Sequence, residues 1–321
     1  MLETNLITET YRQDIISGLK SRGKYIPSKY FYDDEGSRIF QEIMRMPEYY
    51  LTDCEFEIFK QNKDDILERL NTDGNFFDLV ELGAGDGLKT SVLIDHFMSR
   101  QIRFKYVPVD ISEEALAVLT RKMETKFPTL TINDQVGDYF EVLGDLNYCD
   151  GCKKITLFLG SNIGNYTDQE ALGFFNHLST VMKEGDMVLT GFDLIKDPEI
   201  IMEAYDDPHG YTRDFNLNLL ARFNRELGAN FSIADFEHKP VYDEKENAAR
   251  SYLKSLREQE VFLKELELTI HFEKDELIYT EMSKKFSPEL IEQLANKSGF
   301  KVVKNYFDRR KYFIDSLWEK L

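Results

Sequence analysis

The spacing of apolar residues changes character twice along the chain. Phe76 to Leu82 is an apolar run that ends in glycines, and Lys89 to Met98 follows with helical spacing. Phe104 to Val109 is strand-like and Glu113 to Lys126 helical. Strands are predicted again near Leu130 to Val136 and at Ile155 to Leu159, then a helix over Asp168 to Met182 and a strand over Met187 to Thr190. Short apolar β-runs separated by helical stretches of about 10–15 residues predict a parallel, doubly wound α/β sheet. Such sheets bind ligands beyond the carboxyl ends of their strands, so the residues just after each strand hold the chemistry.

After about residue 195 the pattern differs. Leu266, Leu268, Ile270 and Phe272 alternate with polar residues in a strict period of two, the mark of a half-buried antiparallel strand. A second such strand, about Leu277 to Ser283, places Glu281 and Ser283 on one face. A helix over Pro288 to Lys297 and strands near Val302 and Phe313 can complete the first sheet. The expectation is a doubly wound domain over 59–195 and 285–321, and an α+β domain made of the separated segments 1–58 and 196–284.

Composition removes whole classes. The 321 residues include 58 Asp or Glu against 40 Lys or Arg, a net charge of −18. That surface repels phosphate backbones and argues against a nucleic-acid partner. No apolar stretch approaches membrane-span length, and Met1 to Asn5 lack a basic region followed by an apolar core, so a cytoplasmic protein without a membrane partner is expected. Three cysteines do not make a secreted disulfide framework. Cys149-Asp150-Gly151-Cys152 lies in a Gly/Asp-rich turn before a strand and reads as a surface turn. The five histidines show neither HExxH nor HxH spacing, and no metal is expected.

The first strand runs into Glu81-Leu82-Gly83-Ala84-Gly85-Asp86-Gly87-Leu88-Lys89-Thr90. Glycines at 83, 85 and 87 let the backbone turn sharply and approach a ligand closely. A dinucleotide fingerprint needs a small residue where Leu88 stands, and the Walker A pattern GxxxxGK[ST] is absent. The pattern acid-x-Gly-x-Gly-x-Gly resembles motif I of the class I S-adenosylmethionine-dependent methyltransferases, whose cofactor carries an amino acid moiety and a sulfonium in place of a pyrophosphate. Asp110 closes the second strand, where a carboxylate can take both ribose hydroxyls. Asp138 and Tyr139 follow the third, where an acid can accept the adenine amino group and an aromatic can cover the ring.

Further motifs are more specific. Lys29-Tyr30-Phe31-Tyr32-Asp33, Met46-Pro47-Glu48-Tyr49-Tyr50, Phe158-Leu159-Gly160-Ser161-Asn162-Ile163-Gly164-Asn165 and Thr190-Gly191-Phe192-Asp193-Leu194-Ile195-Lys196-Asp197 resemble the histidine-specific Nα-methyltransferases of ergothioneine biosynthesis. So do Ala204-Tyr205-Asp206-Asp207, Phe223-Asn224-Arg225-Glu226-Leu227-Gly228-Ala229 and Thr280-Glu281-Met282-Ser283-Lys284-Lys285-Phe286. The resemblance runs from about residue 12 to the C-terminus. It implies a class I (Rossmann-like) methyltransferase domain with a substrate-recognition domain, S-adenosylmethionine as methyl donor, and a monomer acting on a free amino acid.

Carried over residue by residue, the resemblance gives Gly83, Lys89, Asp110, Asp138 and Tyr139 to the cofactor. It gives Asn165 and Tyr205 to the substrate carboxylate, and Tyr49, Glu281 and Ser283 to the imidazole. Tyr32 falls near the reacting amine, where it would orient that group and help its proton leave through water. The implied reaction converts L-histidine to Nα,Nα,Nα-trimethylhistidine, hercynine; the alternative is Nα-methylation of another aromatic amino acid such as tryptophan, or of a related amine. One departure stands at Ser251, where the family sets a methionine against the substrate ring; a serine there would make the chamber roomier or more polar.

Overall fold

The computed structural model describes residues 8–70, 75–139, 142–143 and 152–321. The chain forms two compact units, one from the N-terminal segment to Tyr49 with Asp197–Ser283, the other from Tyr50–Lys196 with Lys284–Leu321. Helices α1 (Glu9–Lys20) and α2 (Asp34–Arg45) open the first unit, and α3 (Tyr50–Leu70) opens the second. The first division therefore falls nine residues before the one expected at 58/59. The reason is local: α3 is one unbroken 21-residue helix whose Tyr50, Leu51, Cys54, Ile58 and Phe59 are buried.

The second unit is a sheet in which β1 (Phe77–Leu82), β2 (Phe104–Asp110), β5 (Lys153–Phe158) and β6 (Met187–Asp193) run parallel. The expected strand near Leu130 to Val136 is split into β3 (Thr131–Ile132) and β4 (Gln135–Val136), each paired with β2. Helices α4 (Thr90–Ser99), α5 (Glu113–Lys126) and α6 (Asp168–Val181) connect them. Ser112 caps α5, and Thr167 with Glu170 forms a reciprocal capping box on α6. After the excursion through the other unit the chain returns with α9 (Pro288–Lys297), β12 (Phe300–Phe307) and β13 (Phe313–Lys320), the last antiparallel to both β6 and β12.

The sheet order is β12-β13-β6-β5-β1-β2-β3. Every residue of β1 is buried, as the central strand of a covered sheet requires. Phe174 and Phe175 of α6 and Ile291 and Leu294 of α9 share a core with Phe158, Phe192 and Trp318. The chain winds outward from β1 through β2 and then crosses to β5 on the other side. The order reverses there, so the crevice beyond the ends of β1 and β5 is where a ligand is expected.

In the first unit, α7 (Pro198–Glu203) and α8 (Tyr211–Glu226) precede β7 (Phe236–Asp243), β8 (Ala248–Ser255), β9 (Gln259–Leu263), β10 (Leu268–Phe272) and β11 (Leu277–Lys284). The sheets are β11-β8-β7 and the pair β10-β9. Leu268, Ile270 and Phe272 face inward as the alternation predicts. Leu266 does not join them: it ends a 3-10 turn, and Glu267 after it takes a left-handed φ of 47° that resets the chain. Tyr25 bridges to Tyr279 at the edge of β11. Ile15 and Leu19 of α1, Ile39 and Ile43 of α2, and Phe215, Leu219 and Phe223 of α8 share one core.

Candidate active site

At the end of β1 the backbone N–H of Gly83 donates to the carbonyl of Val109 at 2.8 Å, and the chain turns through positive φ at Gly83, Gly85 and Gly87. A Cβ on Gly83 would stand 2.5 Å from the Tyr139 hydroxyl and 2.9 Å from the Asn162 side chain, so only glycine fits. Asp110 closes β2 as expected. Its carboxylate accepts the N–H of Gly85 and that of Ser112, each at 3.0 Å, and so fixes the glycine loop to the start of α5. Its carbonyl accepts the N–H of Gly137 at 3.0 Å, which leads directly into Asp138 and Tyr139. The Tyr139 ring stands edge-on to Phe158 at 5.7 Å. Gly83, Asp110, Asp138 and Tyr139 are thus gathered at the carboxyl ends of three strands. Leu88 and Ile111 on the same loops and Val136 at the end of β4 are apolar yet exposed, and the sequence reading gave none of them a place in the site.

Two acids act behind this surface. Glu81, the leading acid of the glycine motif, points inward: the hydroxyls of Thr90 and Tyr106 donate to it, and burial pushes its carboxyl up to about 7. Lys89 forms an ion pair with Glu55 of α3, a fully buried carboxylate absent from the expected set. Glu55 also accepts the N–H of Gly160 at 2.9 Å, just past β5. Two glycines make room for the pair, since a Cβ on Gly160 would come within 3.2 Å of the Lys89 ammonium and one on Gly191 would collide with the Glu55 carboxylate. Burial works against the Lys89 charge, but Glu55 outweighs it and the ammonium is held above its ordinary range. Burial, with the Glu55 charge beside it, pushes the Asp315 carboxyl of β13 well above its ordinary value.

Beyond β5, Ser161 takes a left-handed φ of 57° and opens a 3-10 turn, Asn162–Asn165, that carries Asn165. The Ser161 hydroxyl accepts the backbone N–H of Asp193 at 2.9 Å. The Asp193 carboxylate, wholly buried, receives the Tyr50 hydroxyl at 2.8 Å, the Lys285 ammonium at 2.8 Å and the Lys196 ammonium. Burial pushes this carboxyl up, and the two ammoniums override it, leaving it below its ordinary value. Lys196 is lowered too, to about 8, mainly because it is buried, although Asp193 pulls it up.

In the first unit Tyr32 and Tyr49 meet the same ring: Phe40 stands edge-on to Tyr32 at 5.6 Å and to Tyr49 at 6.1 Å. Tyr205 is buried just after α7. Two residues on, Asp207 accepts the N–H groups of Tyr211 and Thr212 at 3.0 and 2.8 Å and anchors the start of α8. These bonds overcome its burial and hold the Asp207 carboxyl below the usual range.

Glu281 and Ser283 share a face of β11, as read from their spacing. Ser251 does not join them. The ring of Tyr252 lies 5.6 Å from that of Tyr279, and the Arg250 guanidinium sits over Tyr279, so Arg250 and Tyr252 belong to the Tyr279–Glu281–Ser283 face. Ser251 alternates to the opposite side, buried, where its carbonyl accepts the Thr280 hydroxyl at 3.0 Å.

Among the described residues no group of three or more His, Cys, Asp or Glu side chains is placed to hold a metal ion, and no helix is long and apolar enough to cross a membrane. Cys149, Asp150 and Gly151 lie outside the described residues, while Cys152 is disulfide-bonded and Cys54 is free and buried.

Comparison with known proteins places this geometry in context. The sequence profile described as "Histidine-specific methyltransferase, SAM-dependent" matches residues 11–320. A protein of Mycobacterium tuberculosis (strain CDC 1551 / Oshkosh) named histidine N-alpha-methyltransferase is 35% identical over 96% of this chain and 94% of its own length. Its namesake in Mycolicibacterium smegmatis is 34% identical over 92% of this chain and 90% of its own. The Schizosaccharomyces pombe protein named ergothioneine biosynthesis protein 1 is 31% identical over 88% of this chain, which spans 37% of that longer protein.

Proposed function

The chain belongs to the S-adenosylmethionine-dependent histidine-specific methyltransferases, and from that premise we propose that it methylates the α-amino group of free L-histidine three times to give hercynine, a reaction of ergothioneine biosynthesis. The observation that supports this most directly is on β11, where a carboxylate and a hydroxyl, Glu281 and Ser283, project from one face with the complement of groups needed to read a ring N–H and a ring nitrogen.

The residues at the ends of β1, β2 and β4 fit the cofactor by their chemistry: a glycine whose Cβ would fill the cradle, a carboxylate for ribose hydroxyls, and an acid beside an aromatic for an adenine. Bound there, S-adenosylmethionine supplies a methyl carbon already activated by its sulfonium. Gly83 would let the backbone approach it, Asp110 would take the ribose, Asp138 and Tyr139 the adenine, and the Lys89 ammonium the carboxylate of the amino acid moiety.

An in-line displacement at activated carbon needs little covalent help from protein. The requirement is a desolvated, deprotonated and aligned amine. Asn165 and Tyr205 are assigned to the substrate carboxylate, Tyr49, Glu281 and Ser283 to the imidazole, and Tyr32 to the amine, orienting it and assisting proton departure through water.

The test is direct. Incubated with S-adenosylmethionine and an equimolar mixture of free amino acids, the purified protein is expected to yield trimethylated histidine as the dominant product mass. Methylation of a different amino acid would overturn the assignment of Glu281 and Ser283.

A further inference from the structure

We infer that Asp33 is a positioning residue for Tyr32, gripped from α8 by Asn218 and Arg225. The inference deepens the proposed function and rests on it at one point, the assignment of Tyr32 to the reacting amine.

Tyr32 occupies a single-residue gap between the 3-10 turn Ser28–Phe31 and Asp33, the residue that caps α2, at φ −93° and ψ 62°. No repeating structure sets the direction of its ring, so the neighbours on either side must do so. Before it, the Phe31 ring stacks on Phe215 at 4.4 Å with the planes 10° apart, and the Arg222 guanidinium donates to the Tyr30 carbonyl at 2.8 Å. After it, one Asp33 carboxylate oxygen accepts the Gly36 N–H at 2.7 Å and the Asn218 side-chain amide at 2.8 Å. The other oxygen is paired with the Arg225 guanidinium.

The four gripping residues, Phe215, Asn218, Arg222 and Arg225, are spaced by three, four and three along α8, which puts them on one stripe of the helix. Gly36 closes the turn from within, since a Cβ there would collide with the Phe31 carbonyl. Tyr32 is therefore flanked on both sides by residues that the same helix face holds.

A helix cap alone does not explain Asp33. Capping α2 uses one oxygen and one N–H, and an exposed aspartate does that without help. Here two further donors arrive from 185 and 192 residues away in sequence and fix the rotamer of a carboxylate that is only 10% exposed. The Phe223-Asn224-Arg225-Glu226 motif, to which the assigned reaction gives no role, acquires one: Arg225 reaches Asp33, and Glu226 braces Arg222 at 3.0 Å. The Tyr32 ring itself meets Phe215 edge-on at 5.8 Å, so any slackening of the stripe tilts it.

The experiment compares Asp33→Asn, Arg225→Ala and Arg225→Lys with Tyr32→Phe in the parent chain. Arg225→Ala leaves the cap intact, and the half-exposed Arg225 is not needed for the core, so it reports even if Asp33→Asn fails to fold. Expected are a fall in kcat of about 10- to 100-fold for Asp33→Asn and Arg225→Ala, accumulation of mono- and dimethylhistidine as in Tyr32→Phe, an unchanged KM for S-adenosylmethionine, and partial recovery in Arg225→Lys. A lowered melting temperature with parental kcat and product distribution would overturn the inference and leave Asp33 a helix cap. A neutral Tyr32→Phe would instead sink the assignment of Tyr32, and the positioning role with it.

Discussion

Removing the charge of Asp193 strands two ammonium groups inside the α/β unit. In the native structure this one carboxylate faces both Lys196 and Lys285, with 5% and 0% of their side chains exposed, and also accepts the Tyr50 hydroxyl. Breaking a buried ion pair by deleting one partner costs about 3–5 kcal/mol. Asp193→Ala adds about 1–3 kcal/mol for the acceptor that the Tyr50 hydroxyl loses, whereas Asp193→Asn keeps an acceptor there. Against a total stability of about 5–15 kcal/mol, the asparagine variant should fold and the alanine variant should be marginal.

Trp318, the chain's only tryptophan, is fully buried on β13 of the same unit, so its fluorescence in urea follows this unit. The expected result for Asp193→Asn at pH 7 is a lower midpoint with the slope unchanged. The pH dependence has a definite sign. Lys196 titrates near 8 in the folded chain against 10.5 for an ordinary lysine. Between those values the unfolded chain binds more protons, so stability from this group rises with pH, and the penalty is full below about 8. Without the carboxylate that helps hold it charged, Lys196 releases its proton still more readily. The deficit of the variant should shrink between pH 7 and 9.5. A loss below about 1 kcal/mol, or a deficit that stays constant as pH rises, would refute the reasoning.

Gly191→Ala drives a methyl group into the Glu55 carboxylate and to within 3.0 Å of the Phe313 ring. Overpacking of about 1–3 kcal/mol is expected, together with weaker S-adenosylmethionine binding in equilibrium titration as Glu55 is pushed off Lys89; parental stability would show that the close approach is wrong. His238, buried on β7 with an Nε2 that has no hydrogen-bond partner among the described residues, is lowered by burial from 6.5 to about 4, although Asp206 and Asp207 oppose the shift. Its unfolded form binds the extra proton, so stability should fall as pH drops from 6.5 to 4, by up to about 3 kcal/mol. His238→Gln should flatten that slope in calorimetric melts, and an unaltered slope would assign the acid sensitivity elsewhere.

The winding of the sheet was legible because its strands are buried on both faces and its helices are amphipathic, and the glycine loop because positive φ selects a residue type. The long-range partners were not. Glu55 sits between Asp53 and Glu57 on a helix rich in charge, and only packing against the sheet distinguishes the one fully buried acid from its neighbours. Glu81 was visible as an acid beside glycines, yet its direction depends on Thr90 and Tyr106. Asp193 and Arg225 stood inside quoted motifs without a task, since Tyr50 and Lys285 are distant in sequence from the one and Asp33 from the other.

The discontinuity of the first unit has a consequence for how the chain is made. Ile39 and Ile43 of α2 share a core with Phe215 and Phe223 of α8, about 170 residues further on. At a synthesis rate of about 5–20 residues per second, the apolar face of α2 waits about 10–35 s for that core on the ribosome. In the other unit β6 likewise waits, for about 125 residues, until β13, its antiparallel neighbour, is made. Each unit can therefore close its core only once its later segments have been made, and the early helices are natural clients for a chaperone that shields nascent apolar surface.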